Sequence, residues 1–310
     1  MMVNLSLVKY IVRTLLYSLR LVKLKTKSRK KILFIFNFFV KNFTEFYSGK
    51  FKSIILMDPF TVPEWVIANS YFVNILAKEK KSIIKTFGSY SSIESPIVGA
   101  IFKSFNIIDH VRTTLQNKKL IKEKDEIVLN LRRKIKTKKE LFNLKINSIS
   151  AGIDIYETYL KKGHATVDFD NEVLWNTLDE AVELILFWSD FFNNNNVSAV
   201  VLSHDCYIHM NILAKISYRQ DVPVYLVNSK GMNKVNAPFS LYESRFKNYR
   251  EYFNVLPTKK KSKAIQWAKG RINARLSGQI TDMSYSTISA FQTPIDNHRI
   301  LSDSGRVKVL

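Results

Sequence analysis

The chain of 310 residues has one cysteine, Cys206, so no disulfide can form within it. It has only 9 glycines and 7 prolines, too few for a collagen-like or Pro/Gly-rich disordered chain. No G-x-x-x-x-G-K-[ST] or G-x-G-x-x-G phosphate loop occurs. The five histidines are scattered and no Cys/His cluster has zinc spacing, so no metal site is expected. No internal repeat is present. Acidic residues are also scarce, 26 against 48 Lys and Arg, for a net charge of +22. Such an excess favours an anionic partner: nucleic acid, an anionic membrane surface or a phosphorylated substrate. A codon bias toward Lys, Asn, Ile and Phe accounts for the total equally well, but not for its distribution.

The first acidic residue is Glu45. Before it, Leu5, Val8, Ile11, Val12, Leu15, Leu16, Leu19 and Val22 recur at helical spacing, with Lys9, Arg13, Arg20 and Lys23 among them. A basic amphipathic helix of this kind can lie in the headgroup layer of an anionic bilayer, or pack as an ordinary helix on a domain. Charges interrupt every window of about 20 residues in this region, which excludes a membrane-spanning helix there. No small-residue cleavage site follows a clean apolar core, which argues against a signal peptide.

What is plentiful is apolar sequence, 46% of the chain, enough for a large core. From Ser53 short apolar runs alternate with helical stretches. Strands are predicted at 53–57, 82–87, 199–203 and 223–227, and helices from Pro63, from Pro96 and over 171–192. Residues 116–145, rich in Lys, Glu and Leu, read as a solvated helix or connector. After Met232 the sheet pattern stops. Tyr242, Phe246, Tyr249 and Phe253 then form a helical stripe read as a core face, although the basic residues among them also suit phosphate or nucleic acid. A basic helix follows from Lys259. The expected class is α/β, Rossmann-like, with a mainly parallel sheet and helices on both faces.

The most informative stretch is Ala199 to Tyr207. An apolar run stops at His204-Asp205, a helix follows, and a second apolar run begins after Pro223. In open α/β sheets, ligands sit beyond the carboxyl ends of the strands. Two readings of the pair fit. His204 is a general base with Asp205 as its electrostatic partner, provided a turn brings the two together; or the pair is a strand-to-helix turn with Asp205 as the helix N-cap. Asp154, Tyr156, Glu157 and Tyr159 form a polar-aromatic patch that is either a sugar-stacking surface or aromatic packing at a helix start.

Several segments together resemble a family. They are Asp58-Pro59-Phe60 with Pro63-Glu64-Trp65 and Asn69; Gly152 through Leu160; Leu202 through Tyr207; Val222 through Tyr225; and Arg275 through Gly278 with Tyr285. In order and spacing they are similar to the N-terminal half of bacterial capsule and lipopolysaccharide biosynthesis proteins, glycosyltransferases of the two-domain GT-B-like kind. The resemblance implies an acceptor-side Rossmann-like domain. A nucleotide-sugar donor would be bound by a second domain that this chain does not reach, so no cofactor is expected in the chain itself. It divides the chain into a basic membrane-proximal segment (1–45), the α/β domain (46–240), a helical connector (241–305) and the start of a next strand (306–310). His204 and Asp205 become catalytic candidates, and Tyr156, Tyr159 and Tyr207 substrate-binding candidates in the same cleft. Lys9, Arg13, Arg20 and Lys23 would meet membrane or phosphate. The expected partners are a sugar or lipid-linked saccharide acceptor and the anionic inner-membrane surface, with no specific nucleic acid. The location would be cytoplasmic and peripheral to that membrane. Two other readings stand beside it: a non-catalytic basic α/β protein that docks membrane or nucleic acid, and a polyol-phosphate transferase on a similar fold.

Overall fold

The computed structural model describes residues 50–59, 63–89, 96–228, 231–235 and 249–279, with Lys30, Leu33, Phe34, Asn37 and Phe38. Contacts divide the chain into two units, Met1–Ser244 and Arg245–Leu310.

The first unit is built on a six-stranded sheet. Its strands are β1 (Ser53–Met57), β2 (Ser82–Gly88), β3 (Asp109–Arg112), β6 (Val197–Leu202), β7 (Val224–Asn228) and β8 (Gly231–Val235), in the order β3-β2-β1-β6-β7-β8. A small separate hairpin pairs β4 (Lys145–Ile146) with β5 (Ile149–Ser150). All pairings in the large sheet are parallel except β7 with β8. Residues Val200–Leu202 pair with Val224–Leu226 in register, as the two apolar runs led one to expect.

Both faces of the central strands are buried, which is why they read as continuous apolar runs. Leu56, Val200 and Leu202 enter one core; Ile55, Met57, Ala199 and Val201 enter the other. The second of these cores is closed by α1 (Pro63–Lys80) and α2 (Pro96–Ser104), through Val66, Val73, Ile101, Phe102 and Phe105. The first is closed largely by α5 (Gly152–Lys161), α6 (Glu172–Asn194) and α7 (Tyr207–Arg219). Trp188 of α6 is fully buried and meets Phe87 edge to face at 5.4 Å. The result is a Rossmann-like α/β fold: a mostly parallel sheet between two helical layers.

Four strands escaped the sequence reading. β3 has only four residues, Asp-His-Val-Arg, with no alternation to detect. β8 lies where the pattern had been expected to stop, and runs antiparallel along the edge of the sheet. The β4–β5 hairpin turns through Asn147 and Ser148, both with positive φ, just past the 116–145 stretch expected to be a helix or connector. Around it, 116–145 splits into α3 (Lys118–Lys134) and α4 (Lys138–Phe142), the latter opened by a Thr137/Glu140 capping box.

The second unit contains α8 (Tyr249–Asn254) and α9 (Thr258–Leu276). Tyr249 and Tyr252 are exposed and no residue of α8 is buried, so the described part of the stripe expected to face a core does not do so; Tyr242 and Phe246 lie outside the described residues. The same holds for the predicted N-terminal helix, including Lys9, Arg13, Arg20 and Lys23, and for residues 306–310.

α5 is held tightly in the fold. Asp154, 1% exposed, accepts from Asn211 Nδ2 at 2.7 Å and from Lys215 Nζ at 2.5 Å, bolting α5 to α7. At its start, a Cβ on Gly152 would stand 1.7 Å from the Leu141 carbonyl oxygen, so only glycine fits under the end of α4. Gly152→Ala is therefore expected to destabilise the protein by about 3 kcal/mol or more, because the clash is with backbone that must shift. Chemical denaturation checks this; an unchanged midpoint would disprove the close approach.

Candidate functional site

In this strand order the chain leaves β1 in one direction toward β2 and β3, and in the other toward β6, β7 and β8. The crevice between the carboxyl ends of β1 and β6 is therefore the topological switch point, where open α/β sheets bind ligands. Asp58 follows β1 and Ser203-His204 follow β6. Asp58 is buried, and its backbone N–H continues the ladder to the Val201 carbonyl at 2.8 Å. Its Oδ2 accepts from the Ser203 backbone N–H at 3.1 Å and lies in hydrogen-bond contact with Ser203 Oγ. Ser203 Oγ in turn lies 2.6 Å from His204 Nδ1. Three polar side chains from two strands thus form one chain of contacts.

The turn into α7 completes the site. Cys206 is the N-cap residue and makes no side-chain cap bond. The Ile208 N–H is instead satisfied by Thr158 Oγ1 of α5, at 3.0 Å. Tyr207 has φ +64°, a left-handed conformation that costs an L-residue about 1–2 kcal/mol and is an outlier for a bulky side chain. Its ring meets His204 edge to face at 5.7 Å and carries the Lys161 ammonium 4.2 Å from its centroid. Strain of this kind persists where surrounding contacts over-determine the backbone, and it gathers at functional sites.

The electrostatics favour a neutral imidazole. Burial holds His204 below its usual value; Asp58 and Asp205 pull upward, and Lys161 adds to the lowering. Among the described residues, Nε2 of His204 has no hydrogen-bond partner. Cys206 is no nucleophile at neutral pH: burial, with Glu157 and Asp205 near it, pushes its thiol up to about 12. Among the described residues no group of three His, Cys, Asp or Glu is placed to hold a metal ion.

The residues expected at the site separate. His204 and Tyr207 come together, but the acid that touches the His204-bearing chain is Asp58 and not its sequence neighbour Asp205. Asp205 is 2% exposed and raises the Cys206 thiol and, together with burial, the Tyr218 hydroxyl. Nor is it the helix cap. Tyr159 does not line a cleft: it is fully buried and stacks on His164 at 4.1 Å, with the planes 5° apart. Tyr156 is half-buried; its hydroxyl accepts from Lys138 Nζ at 3.0 Å and its ring packs on Phe142 at 4.9 Å. The face of α5 toward the start of α7 carries Thr158 and Lys161 instead. Asp58, Ser203 and Lys161 were missed as site residues. The available signal for Asp58 was that it ends an apolar run just as His204 does.

The fold and this cluster define a Rossmann-like α/β domain with an Asp-Ser-His array at its switch point. Comparison with known proteins adds no relative: no family model matches the chain, and no curated protein or solved structure is significantly similar to it.

Because the folded state lowers the His204 pKa, the neutral ring contributes stability that is full above the unfolded value near 6.5 and is lost as pH falls through the folded one. His209, lowered by burial and by Lys162 and Lys161 against the pull of Glu180, acts with the same sign. Urea midpoints at pH 7.5 and 5 are expected to differ less in His204→Asn than in the wild type, with His209 sustaining the remaining difference. An equal acid loss in both proteins would contradict the buried, neutral ring.

Proposed function

We propose that this chain is the acceptor-side part of a glycosyltransferase that builds cell-surface polysaccharide, with His204 as the general base. The observation that supports it is the bare Nε2 of a half-buried, neutral His204 at the switch point of a Rossmann-like sheet. An imidazole that is unprotonated near neutral pH can take the proton of a sugar hydroxyl as that oxygen attacks the anomeric carbon of the donor; the bond to the donor's nucleotide then breaks and the leaving group departs with its electrons. Tyr207, edge to face with the His204 ring, adds an aromatic side chain to the same site. The resemblance of the Gly152–Leu160 and Leu202–Tyr207 segments to capsule and lipopolysaccharide enzymes supplies the substrate class. The two-domain GT-B-like architecture, with the nucleotide-sugar on the other domain, belongs to the same proposal.

The net charge of +22 suits an acceptor carried on a lipid diphosphate and a working position at the anionic inner-membrane face, reached from the cytoplasm. Among the described residues no helix is long and apolar enough to cross a membrane. Attachment then falls to the basic N-terminal segment, where each Lys or Arg near the surface contributes about 1 kcal/mol. Removing residues 1–31 is expected to abolish co-sedimentation with anionic vesicles at low salt; equal binding with and without them would remove that part of the proposal.

For the chemistry, a complete two-domain protein that joins this chain to its donor-binding domain is incubated with polyprenyl-diphosphate-linked saccharides and a panel of labelled nucleotide-sugars. Transfer is expected, and His204→Gln is expected to lower turnover by about 10²–10⁴-fold while the protein remains folded at the assay temperature. Near-normal transfer by His204→Gln, or no transfer by the wild type with any donor, would defeat the reading.

A further inference from the structure

The Asp58–Ser203–His204 array has an unusual order: the serine stands between the acid and the histidine. We propose that Ser203 is a positioning residue that donates its hydroxyl proton to Asp58 and accepts the Nδ1 hydrogen of His204, leaving Nε2 as the proton-accepting nitrogen. The inference rests on the reading of His204 as a base and specifies how that base is set.

The number of protons available fixes the direction of each contact. Ser203 Oγ has one hydrogen and two polar neighbours, Asp58 Oδ2 and His204 Nδ1. An ionised carboxylate only accepts. If the hydroxyl donated to the imidazole, Oγ and Oδ2 would face each other in contact distance with no hydrogen between them. The hydroxyl proton therefore belongs to Asp58, and the contact of 2.6 Å between Oγ and Nδ1 needs its hydrogen from the ring. The Ser203 backbone N–H, 3.1 Å from the same Oδ2, locks the serine in this orientation. A neutral imidazole protonated on Nδ1 carries its lone pair on Nε2, which has no partner among the described residues.

The proton balance closes. An acceptor hydroxyl gives its proton to Nε2, the ring becomes imidazolium, Nδ1 keeps its hydrogen on Ser203, and Ser203 keeps its own on Asp58. The Asp58 charge stabilises the imidazolium through the hydroxyl without accepting a proton. The charged groups around the ring are Asp58 beyond β1, Lys161 at the end of α5, and Asp205 in the turn before α7. Asp58 thus counters the lowering that burial and Lys161 impose. The order also excludes Ser203 as a nucleophile. In a nucleophilic triad the histidine lies between acid and serine; here an alkoxide at Oγ would form directly against a carboxylate.

The test reads the ring nitrogens of the full chain without substrate. ¹⁵N-histidine labelling, with His204 assigned by its loss in His204→Gln, is expected to show at pH 8 a protonated Nδ1 and a bare Nε2. Ser203→Ala is expected to reverse the major tautomer, and Ser203→Thr, which keeps the hydroxyl, to restore it. Asp58→Asn is expected to lower the His204 titration midpoint, an effect that loss of packing alone would not produce. A majority of Nε2–H in the wild type would overturn the proposal, and that measurement needs no variant to fold. An unchanged tautomer in folded Ser203→Ala would overturn it as well. So would labelling of Ser203 by a fluorophosphonate probe, which would make the serine a nucleophile. The outcome is separable from the transfer assay. An Nδ1–H ring in a protein that transfers no sugar removes the glycosyltransferase reading only, and an Nε2–H ring in an active protein removes the relay only.

Discussion

One carboxylate oxygen joins the two halves of the sheet where they diverge. Oδ2 of Asp58, at the end of β1, takes both the backbone N–H and the hydroxyl of Ser203, at the end of β6. Hydrogen bonds to a charged acceptor contribute about 1.5–3 kcal/mol each, and a buried carboxylate without donors would be strongly unfavourable. The parallel pairing of Leu56 with Val200 and Met57 with Val201 brings the strand ends level, so that Asp58 and Ser203 meet across 145 residues of sequence. The interaction turns the crevice of the switch point into a fixed polar array and aims the next residue, His204, back over Ser203. Adjacent residues on an extended strand point to opposite faces, so this contact exists only because the chain has already left the strand.

A second set of contacts decides what stands opposite that array. Asp154 ties α5 to Asn211 and Lys215 of α7, and Thr158 supplies the acceptor that the N-cap residue Cys206 does not. These are consecutive turns on one face of α5, at positions 154, 158 and 161. The same face ends in Lys161, whose ammonium then rests on the Tyr207 ring. The strained φ of Tyr207 is held by this bolt: the helix start is fixed from α5, the strand end from Asp58, and the four residues between them must span the gap. Packing and site share one helix here: α5 begins at the close approach of Gly152 to Leu141 and ends at Lys161 on the Tyr207 ring.

The sheet was legible from sequence where burial on both faces left an unbroken apolar run, as at residues 54–57, 199–202 and 224–227. Its edges were not. Asp109–Arg112 and Gly231–Val235 stand at the two ends of the strand order and have a polar composition, so neither carries a period. His204 was legible because the change from Leu202 to His204 is abrupt. Its true partner was hidden by adjacency. In sequence Asp205 is the obvious acid, but a one-residue step in a turn sends its side chain into the interior, while the acid that serves the array arrives from another strand. The tyrosines of α5 failed for a related reason. Tyr156 and Tyr159 carry the chemistry expected of a sugar platform, but helical phase gives Tyr159 to the core and Tyr156 to Lys138 and Phe142. Composition names candidates, and the phase of a helix selects among them.

The charge of the chain and the charge of the site run in opposite directions. The whole chain carries +22, yet the buried ionisable groups around the switch point are carboxylates: Asp58, Asp154 and Asp205. A base gains nothing from a strongly cationic setting, since each nearby positive charge lowers its affinity for a proton. Lys161 does so here, and Asp58 and Asp205 offset it. The interior therefore keeps an imidazole that is neutral but still able to take a proton. A cationic excess elsewhere on the chain acts on encounter with anionic partners, and salt screens it beyond about 10 Å. Net charge read from composition thus speaks to encounter and anchoring. The state of the His204 ring depends on burial and on where Asp58, Asp205 and Lys161 stand, which composition does not record.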